Sequence, residues 1–432
     1  MQKHYSKTIS ELYELQQFSV KMGLENISSL CKKLNDPHLS FPVIHVAGTN
    51  GKGSTSFIIH NILTAHGLKV GLYTSPHLID FRERIRVNFR YIDEKYIIEF
   101  WEGMRNTVYQ IKATFFDTTT ALAFDYFRKS KVDVAVIETG LGGRLDSTNI
   151  VQPIASVITP IAVDHIKQLG RSLKSIAREK MFIVKKESIF FSGRQKKSVQ
   201  DLFTNALSPT HNGYYLSRCI NIHDVILTST HSQFDCYDKI RNIKIKKLKL
   251  NLAGRFQIDN ACLSYLVSRW YLERLGISFS EQTFREGLNR VQWNGRIQQV
   301  SKQPDIYLDV SHNYSGFKAT IKFIQEISDF SNRSILIGLL ADKEYKLIVR
   351  LVAKNFKYLF LTEPAHEKAL PVSVLYEEFL RHQLKPAFNQ SLYSAYMMAI
   401  NQLGKNDQLF VMGSHFLIGE LLREIGKKHL TQ

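Results

Sequence analysis

The chain has few cysteines: 432 residues include only Cys31, Cys219, Cys236 and Cys262. They form no C-x-x-C pair and no zinc-ligand spacing, which excludes a disulfide scaffold and a structural zinc site and favours free thiols. No apolar run approaches the ~18 residues that cross a bilayer. The N-terminal stretch MQKHYSKTISELYELQQF is polar and lacks the apolar centre of a signal peptide. These absences predict a cytoplasmic protein without a membrane partner.

Acidic residues are scarce relative to basic ones: 39 Asp and Glu against 57 Lys and Arg give a formal net charge of +18. Such a balance is typical of nucleic-acid-binding proteins, of enzymes for anionic substrates, or of any protein from a lysine-rich proteome. The basic residues are scattered except in IRNIKIKKLKL, residues 240–250, where Ile and Leu alternate with Lys. That alternation predicts a strand with one solvated basic face, and we expect no nucleic-acid partner.

The length predicts two or three domains, and the hydrophobic pattern indicates an α/β fold class. Helical periodicity predicts helices over about residues 1–30, 52–66, 118–130 and 257–275, and Val- and Ile-rich runs between them predict buried strands. That alternation is typical of parallel sheets covered on both faces. Residues 185–250 have a weaker pattern, which predicts short strands and loops. The predicted strands are 42–48, 68–75, 132–140, 154–162, 306–310, 334–340, 358–362 and 408–413.

The segment AGTNGKGST, residues 47–55, follows an apolar strand and opens a helix, which is the context of a phosphate-binding loop. Glycines let backbone N–H groups approach phosphate oxygens, and the helix N-terminus adds partial positive charge. Lys52 would neutralise the β- and γ-phosphates, and a nearby hydroxyl can serve magnesium. The spacing is unusual because two residues separate Gly48 from Gly51, and Gly53 follows the lysine. The residues predicted to bind ATP here are Thr49, Asn50, Gly51, Lys52, Gly53 and Ser54.

Further motifs agree with one family along nearly the whole chain. They are TSPHLIDFRERIRVN at 74–88, IETGLGGRLDSTN at 137–149, ITPIAVDHIKQLGRSLKSIAREK at 158–180, NGRIQ at 294–298, DVSHN at 309–313 and GLLADKE at 338–344. Together with the variant loop GTNGKGST, they resemble the folylpolyglutamate synthase/dihydrofolate synthase family of the Mur ligase superfamily. Several ordered motifs at consistent spacing are far more specific than the loop alone.

The resemblance implies a two-domain Mur-ligase-like fold: a P-loop parallel-sheet ATPase domain over residues 1–296 and a smaller Rossmann-like α/β domain over residues 297–432. It also implies an ATP-dependent ligase of folate biosynthesis and one-carbon metabolism. The carboxylate of dihydropteroate, or the γ-carboxylate of a reduced folate such as tetrahydrofolate, would become an acyl phosphate and react with L-glutamate. Such an enzyme would release ADP and phosphate, use two Mg²⁺ ions and work as a monomer.

The resemblance implies that Ser75, Glu138 and His165 bind magnesium. Glu138 also ends a predicted strand, where the ligand sites of α/β sheets gather. The alternatives are a capping serine, a salt-bridged glutamate and a structural histidine. Lys180 matches a lysine that the family carries as a carbamate, which would hold the second ion. This chain continues as EKMFIV where the family usually has EKAGI, so a solvated lysine is the alternative there.

Three residues further along the chain match ATP contacts of the family: Asn260, Arg296 and Asp309. A guanidinium such as that of Arg296 can lie across phosphates as a planar fork of donors. His312, in DVSHN, would lie near the transferring phosphate. Catalytic roles are therefore implied for Lys52, Lys180 and His312.

A flat pterin needs a stacking surface and a polar partner, and TFFD at 114–117 offers two rings and a carboxylate. A core role for the two phenylalanines is equally open. Residues 145–147 match a second substrate-contact stretch and residues 22–24 a third, while His77 resembles the form found in members that use dihydropteroate. The predicted pterin contacts are Thr114, Phe115, Phe116, Asp117, Leu145, Asp146 and Ser147.

Two other functions stay open beside this one. The first is another amino-acid ligase of the Mur superfamily, against which the GLGGRLDSTN and SPHL segments argue. The second is a non-catalytic nucleotide-binding protein whose basic segment contacts nucleic acid, against which the complete set of charged site residues argues. The chain also departs from the family pattern at Asn294 and Tyr314, where prolines are usual. The motifs do not decide whether the first glutamate, later glutamates or both are added.

Overall fold

A computed structural model describes residues 2–17, 23–207 and 213–429 as three sheets with covering helices. No helix in these three ranges is long and apolar enough to cross a membrane. The strands are β1 (Val43–Ala47), β2 (Val70–Tyr73), β3 (Ile85–Val87), β4 (Arg90–Tyr91), β5 (Val134–Glu138), β6 (Ala155–Ile158), β7 (Ile189–Ser192), β8 (Gly213–Tyr215), β9 (Ile220–Leu227), β10 (Ser232–Asp238), β11 (Ile243–Leu250), β12 (Gln298–Lys302), β13 (Asp305–Asp309), β14 (Arg333–Ile337), β15 (Tyr358–Leu361), β16 (Ala387–Phe388) and β17 (Gln408–Met412). The helices are α1 (Gln2–Glu14), α2 (Glu25–Lys33), α3 (Lys52–Ala65), α4 (Glu94–Ile111), α5 (Phe115–Ser130), α6 (Ile166–Leu169), α7 (Leu173–Met181), α8 (Lys197–Ala206), α9 (Leu216–Cys219), α10 (Arg255–Arg274), α11 (Glu281–Asn289), α12 (Tyr314–Ile327), α13 (Tyr345–Ala353), α14 (Val372–Leu380), α15 (Leu392–Gln402) and α16 (His415–His429).

The largest sheet has eight strands in the order β4-β3-β2-β5-β1-β6-β7-β8. The strands from β2 to β8 in that order run parallel, and β3 and β4 extend one edge in antiparallel fashion. All five residues of β1 are buried, as expected for a central strand that is covered on both faces. Because parallel strands end at the same edge, the loops after β1, β5 and β6 emerge side by side.

Helix α3 lies between the large sheet and the helices α10 and α11. Its residues are buried from Ser54 to Leu63, so the helix is enclosed on nearly all sides. Ile58 and Ile62 pack in one cluster with Ile44 and Val46 of β1. This packing fixes the N-terminus of α3 at the carboxyl edge of the sheet, next to the end of β1.

A separate antiparallel sheet, in the order β11-β10-β9, packs against α10. Its last strand buries Ile245, Leu248 and Leu250 and exposes its four lysines, so the predicted basic face is confirmed. The alternation is interrupted at Lys247, which has a φ of 52° opposite a register shift in β10. The Lys247 N–H donates to the Asp235 carboxylate at 2.8 Å, which satisfies the backbone group that this bulge leaves unpaired.

The third sheet has six strands in the order β12-β13-β17-β14-β15-β16. Only the pair β12 and β13 is antiparallel; the other neighbours run parallel. The loops after β13, β17 and β14 therefore leave the same edge. The helices α12 to α14 contribute to one apolar cluster of this sheet and α15 and α16 to another, as a doubly covered α/β sheet requires.

Most of the predicted elements are confirmed, and the differences have local causes. The N-terminal helix divides into α1 and α2, with residues 18–22 outside the described ranges. Helix α4 was not predicted, and α5 begins earlier than predicted because Thr114 caps it. Residues 220–250, where short strands and loops were expected, form strands of seven and eight residues. The domain division at residue 296 stays a prediction.

Candidate active site

A cleft of about 600 Å³ lies between the eight-stranded and the six-stranded sheets. The first sheet contributes the loops after β1, β5 and β6, and the second contributes the loops after β13, β14 and β17. Carboxyl ends of parallel strands from both sheets therefore face one space, where α/β folds bind ligands. The predicted site residues that line it are Thr49, Asn50, Gly51, Lys52, Gly53, Ser54, Ser75, Glu138, His165, Lys180, Asn260, Arg296, Asp309 and His312.

The phosphate loop is a tight turn between β1 and α3. Gly51 precedes the first helical residue with a φ of 84°, and Gly48 has a φ of 151°. A Cβ atom on Gly48 would lie 1.8 Å from Thr159 Oγ1, so the loop can pass beside β6 only with glycine there. The first N–H groups of α3 have no acceptor within the helix, which leaves them and the helix dipole available to an anion in the cleft.

Glu138 places a buried carboxylate beside this loop. It is the last residue of β5 and is 3% exposed. The Ser75 N–H donates to Glu138 Oε2 at 3.2 Å, and Lys52 Nζ lies 4.0 Å from Oε1. Burial raises the pKa of the Glu138 carboxyl, and the charge of Lys52 opposes that rise. The loop therefore carries a cation next to a carboxylate, as a site for a metal–phosphate ligand requires.

His165 follows β6 and precedes the short helix α6, with a φ of 49°. Burial lowers the pKa of the imidazole to about 4; the neighbouring Asp164 opposes this shift and Lys343 adds to it. The ring is therefore neutral at pH 7 and has a nitrogen lone pair to offer to a metal ion.

The donor set limits how a metal could be held. Among residues 2–17, 23–207 and 213–429, no three His, Cys, Asp or Glu side chains lie together as a metal-binding group. A cation beside Glu138 and His165 would add the Ser75 hydroxyl and complete its shell from outside the protein. Magnesium binds in that way, with one or two carboxylates, several waters and substrate phosphates. The residues present thus fit magnesium that enters with a nucleotide.

Lys180 is held at the end of α7 by the glycine-rich loop after β5. A Cβ on Gly143 would lie 2.6 Å from the Glu179 carbonyl oxygen, which accepts the Arg144 N–H at 3.1 Å. The Lys180 residue is 4% exposed and forms no ion pair with another described residue. Burial and the charge of Lys52 lower the pKa of its ammonium group from 10.5 to about 7. Lys180 is therefore a buried amine rather than a solvated lysine.

Asp164 connects the two sheets across the cleft. Its Oδ1 accepts from Lys343 Nζ at 2.7 Å, its Oδ2 accepts from Asn313 Nδ2 at 2.9 Å, and His312 Nε2 lies 3.4 Å from Oδ2. Burial alone would raise the pKa of Asp164, but the hydrogen bond and charge of His312, with Lys343, lower it overall. Asn313 also donates to Asn50 Oδ1 at 2.9 Å, which joins the second sheet to the phosphate loop.

Arg296 precedes β12 and Asp309 ends β13, and both line the cleft. Arg296 Nη2 donates to His415 Nε2 at 3.3 Å, and burial with the charge of Arg296 lowers the pKa of that histidine well below 6.5. Asp309 accepts the N–H groups of Ile297 and Ser311 at 3.1 and 3.0 Å. The aspartate therefore ties the turn around Arg296 to the end of β13 and orients the guanidinium toward the cleft.

Asn260 projects from α10 against the phosphate loop. A Cβ on Gly51 would lie 2.7 Å from Asn260 Oδ1, and Asn260 Nδ2 donates to Gln257 Oε1 at 2.9 Å. The amide therefore lies at the phosphate loop, and its contact with ATP stays a prediction.

The seven predicted pterin contacts, Thr114, Phe115, Phe116, Asp117, Leu145, Asp146 and Ser147, do not line this cleft. Thr114 and Asp117 close the N-terminus of α5 as a capping box, and the Ser147 hydroxyl donates to Asp117 Oδ1 at 2.6 Å. Phe115 is in the core, stacked on Tyr13 with centroids 5.5 Å apart. A capping or core role therefore accounts for these four side chains, and the contact of all seven residues with a pterin stays a prediction.

Phe116 and Asp146 nevertheless shape the cleft wall indirectly. A Cβ on Gly140, which lines the cleft, would lie 2.5 Å from Phe116 Cζ. Asp146 Oδ2 accepts the Leu141 N–H at 2.7 Å, which holds the loop after β5. Met22, from the third stretch matched by resemblance, lies outside the described residues.

Four residues at the cleft were not selected from the sequence as site residues: Asp164, Lys343 and His415, which line it, and Asn313, which donates to Asp164. All four follow parallel strands at their carboxyl ends, and three lie within motifs that the resemblance already uses. Position after a buried strand was therefore the signal that could have found them.

Comparison with known proteins assigns the chain to a family. Residues 46–268 match the family model of the Mur ligase middle domain, and residues 295–415 match that of the Mur ligase glutamate ligase domain. A folylpolyglutamate synthase of Lacticaseibacillus casei is 30% identical over 90% of this chain and 92% of its own length. A dihydrofolate synthase/folylpolyglutamate synthase of Bacillus subtilis is 34% identical over 80% of this chain and 82% of its own. The chain belongs to the folylpolyglutamate synthase/dihydrofolate synthase family of Mur ligases.

The fold agrees with that family across both α/β sheets. A solved complex of a folylpolyglutamate synthase with AMPPCP and folate superposes with a TM-score of 0.86 at 27% identity. The match covers 98% of this chain and 99% of the other. The expected two-part α/β Mur-ligase architecture is thereby confirmed.

Proposed function

We propose that this family member joins L-glutamate to the carboxylate of dihydropteroate, to the γ-carboxylate of tetrahydrofolate, or to both, releasing ADP and phosphate. The observation that carries the proposal is the shared cleft, in which Lys52 and Glu138 of the first sheet face Arg296, His312 and Lys343 of the second. The solved relative that holds AMPPCP and folate supports ATP and a folate as substrates.

The first step transfers the γ-phosphoryl group to the acceptor carboxylate. A carboxylate oxygen bonds to the γ-phosphorus, the bond to the bridging oxygen breaks, and ADP leaves. Both reactants are anions, so the barrier is lowered mainly by positive charge that is held in place before the reaction. Lys52 and the N-terminus of α3 supply that charge from one side and Arg296 from the other.

The second step forms the amide. The amine of L-glutamate attacks the carbonyl carbon of the acyl phosphate, the C–O bond to phosphate breaks, and the amine loses a proton. We assign His312 to this step: its Nδ1 donates to the Val310 carbonyl oxygen at 3.0 Å, while Nε2 faces Asp164 in the cleft. Closure of the two sides around the substrates would exclude water, which would otherwise hydrolyse the acyl phosphate.

Magnesium would be held by Ser75, Glu138 and His165, where it would neutralise charge on the phosphates. A second ion would need another anionic ligand, and Lys180 carbamylation would create one. In that reaction the neutral amine bonds to the carbon of CO₂ and releases a proton. The lowered pKa of about 7 supports it because a large fraction of the amine is neutral at physiological pH.

We also place the enzyme in the cytoplasm as a monomer that binds these small molecules and neither nucleic acid nor membrane. The cysteines support a reducing compartment, since all four are free and buried. The lysines of β11 are explained as the solvated face of a half-buried strand.

The test is ADP formation from ATP with L-glutamate and magnesium, with 7,8-dihydropteroate and tetrahydrofolate offered separately. We expect glutamate-dependent ADP with at least one acceptor. ADP with dihydropteroate would establish dihydrofolate synthase activity, and ADP with tetrahydrofolate would establish polyglutamylation. Folded protein that binds ATP but turns over with neither acceptor would contradict the proposed function; a panel of other acidic acceptors would then identify another Mur-type ligase.

A further inference from the structure

A second cavity, of about 220 Å³, adjoins the cleft near the connection between the two sheets. Pro76, Arg296 and His415 line both spaces, so a molecule that reacts in the cleft can extend into the cavity. The remaining wall comes from the segment between β2 and β3, from β3 and β4, and from the segment before Arg296; it includes Arg86 and Trp293. Neither Arg86 nor Trp293 has a part in the two reaction steps proposed for the cleft.

Arg86 is held rigidly by aromatic rings. Its Cζ lies 4.5 Å from the ring centroid of Tyr91, 5.2 Å from that of Phe57 and 5.3 Å from that of Trp293. Trp293 in turn stacks on Phe57 with centroids 4.4 Å apart. Three rings around one guanidinium fix its position before a ligand arrives, which lowers the entropy cost of binding.

The charge of Arg86 is compensated only in part within the protein, by the Glu83 carboxylate at a distance longer than that of an ion pair. It forms no ion pair in the described part of the chain, and its one hydrogen bond runs from Nε to the Glu83 carbonyl oxygen at 3.4 Å. Its terminal nitrogens therefore have donors to offer. A partly buried cation without a directly paired carboxylate is uncommon, because burial is costly unless an anion compensates it.

Glu83, the acidic residue of the cavity wall, offsets the charge of Arg86 only in part, because its oxygens are engaged by backbone N–H groups. Its carboxylate accepts the N–H groups of Leu78, Ile79 and Asp80 at 2.8 to 2.9 Å. Arg296 adds a second positive charge on the wall shared with the cleft, where burial keeps His415 neutral. The cavity is thus positive overall and suits an anionic group that carries two acceptor oxygens.

We propose that this cavity binds a carboxylate of a glutamate residue of the substrates and that Arg86 is its principal ligand. The inference rests on the proposed function, whose two organic substrates can both carry glutamate carboxylates: the incoming L-glutamate and the glutamyl tail of a folate. Either source reaches the cavity from the reacting centre past Arg296. Asn294, on the exposed rim, adds an amide where the family usually has proline.

The test compares wild type with Arg86→Gln, which removes the charge but keeps a planar polar side chain. ADP formation is measured while L-glutamate, the pterin acceptor and ATP are varied in turn. We expect the KM for the bound glutamate to rise about 10- to 100-fold, the range for losing a charged hydrogen bond. The KM for ATP should stay within about 2-fold, and Arg86→Lys should recover part of the loss.

Separate arms identify the source of the carboxylate. With dihydropteroate, which has no glutamyl tail, a raised KM for L-glutamate supports the incoming amino acid. A raised KM for tetrahydrofolate with an unchanged KM for L-glutamate supports the tail. Unchanged KM values for L-glutamate and for tetrahydrofolate would overturn the proposal. A rise in the KM for ATP, or a fall in kcat alone, would also overturn it, because a merely structural role of the ring stack predicts these two results.

Two further variants guard against misfolding. Arg218→Gln, an exposed arginine 4.7 Å from the Tyr215 ring, is the matched control and should leave every constant unchanged. Asn294 is exposed, so Asn294→Ala leaves the packing of the core unchanged. A rise of about 2- to 5-fold in the same KM supports the proposal even where Arg86→Gln is unstable. The proposal would be contradicted if folded Asn294→Ala and Arg86→Lys both had the wild-type KM for the glutamate-bearing substrate.

Direct binding separates this proposal from the proposed function. If the wild type shows no glutamate-dependent ADP formation, the proposed function fails, and calorimetric titration with L-glutamate and with tetrahydrofolate then tests the cavity by itself. Binding that is weakened in Arg86→Gln and retained in Arg218→Gln supports the carboxylate site. Equal binding by both variants, or no binding to the wild type, overturns it.

Discussion

Lys52 has two properties at one position: it is the first residue of α3 and its ammonium group lies 4.0 Å from the Glu138 carboxylate. The side chain is 17% exposed and lines the cleft. We expect Lys52→Ala to lower kcat about 100- to 1,000-fold, since a fixed charge on the transferring phosphate is lost. ADP formation measures the rate, and thermal unfolding checks that the variant is folded. The exposed Lys129→Ala is the control; a Lys52→Ala enzyme with wild-type turnover would refute the assignment.

Lys180 offers a test of carbamylation at the residue scale. Its buried amine, with a pKa lowered to about 7, is reactive toward CO₂ near neutral pH. We expect degassed enzyme to lose activity and to regain it on addition of bicarbonate. Lys180→Ala should lose both the activity and the bicarbonate response, while the neighbouring Lys185→Ala should keep both. A bicarbonate response that survives in Lys180→Ala would place the effect elsewhere.

The same amine makes stability depend on pH. The folded pKa of Lys180 is about 7 and its ordinary value 10.5, so between these values the unfolded chain binds the extra proton. Stability therefore rises as the pH increases through this window, and the cost of the buried charge is fully present below pH 7. We expect urea unfolding of unmodified enzyme, prepared free of CO₂, to show this rise and Lys180→Met to flatten it. If the free energy of unfolding rises with pH equally in both proteins, the Lys180 amine is not the group that causes the rise.

At the scale of single elements, the turn from β1 into α3 depends on glycine at position 48. A Cβ there would meet Thr159 Oγ1 at 1.8 Å and would also require a φ of 151°. We expect Gly48→Ala to destabilise the protein by about 1–3 kcal/mol and to weaken ATP binding, because the loop must move away from β6. Gly67→Ala is the matched control: its φ is 89°, but no atom lies within 4 Å of the added Cβ. Equal losses of ATP affinity in both variants would exclude the clash as the cause.

Elements whose signal is local were the ones that the sequence could predict. β1, the phosphate loop and α3 combine a buried run, two glycines with positive φ and an enclosed helix within 25 residues, all readable in order. Helix α4 has a hydrophobic face but was not predicted, because residues 94–111 contain no chemical motif. The strand β11 was predicted from its alternation of Ile and Leu with Lys, but β9 and β10 were not predicted individually, and a register shift interrupts their pairing.

Site residues divide in the same way. Glu138 and Lys52 could be placed because each adjoins a strand or helix end that the pattern locates. Asp117 and Ser147 could not, because whether a carboxylate faces a ligand or caps a helix depends on a partner 30 residues away. Asp164 was not predicted as a site residue for a related reason. Its partner Lys343 is 179 residues away in the sequence, and only the packing of the two sheets brings them together.

At the scale of the whole molecule, closure of the cleft depends on contacts between the two large sheets. Lys343 reaches Asp164 at 2.7 Å, and Asn313 reaches both Asp164 and Asn50. Both members of the ion pair are buried, so removing one leaves the other charge without full compensation. The arrangement therefore couples the position of the second sheet to the phosphate loop.

Lys343→Met tests this coupling. Removing one partner of a buried pair costs ~3–5 kcal/mol, and the lower end is expected here because Asn313 and His312 still face Asp164. We expect small-angle X-ray scattering to show a larger radius of gyration for Lys343→Met, and the exposed Lys346→Met to match wild type. A compact Lys343→Met enzyme with unchanged scattering would mean that other contacts hold the cleft closed.

The pH dependence of closure follows from the sign of the Asp164 shift. Its pKa is lowered in the closed molecule, so its contribution is complete above the unfolded value of ~3.9 and is lost as the pH falls below that value. We therefore expect wild-type scattering to be constant from neutral pH down to about pH 4 and the molecule to expand below it. Lys343→Met should already be expanded at neutral pH, because the ion pair that acid would remove is absent. Expansion of both proteins at the same acidic pH, with none at neutral pH, would assign closure to other groups.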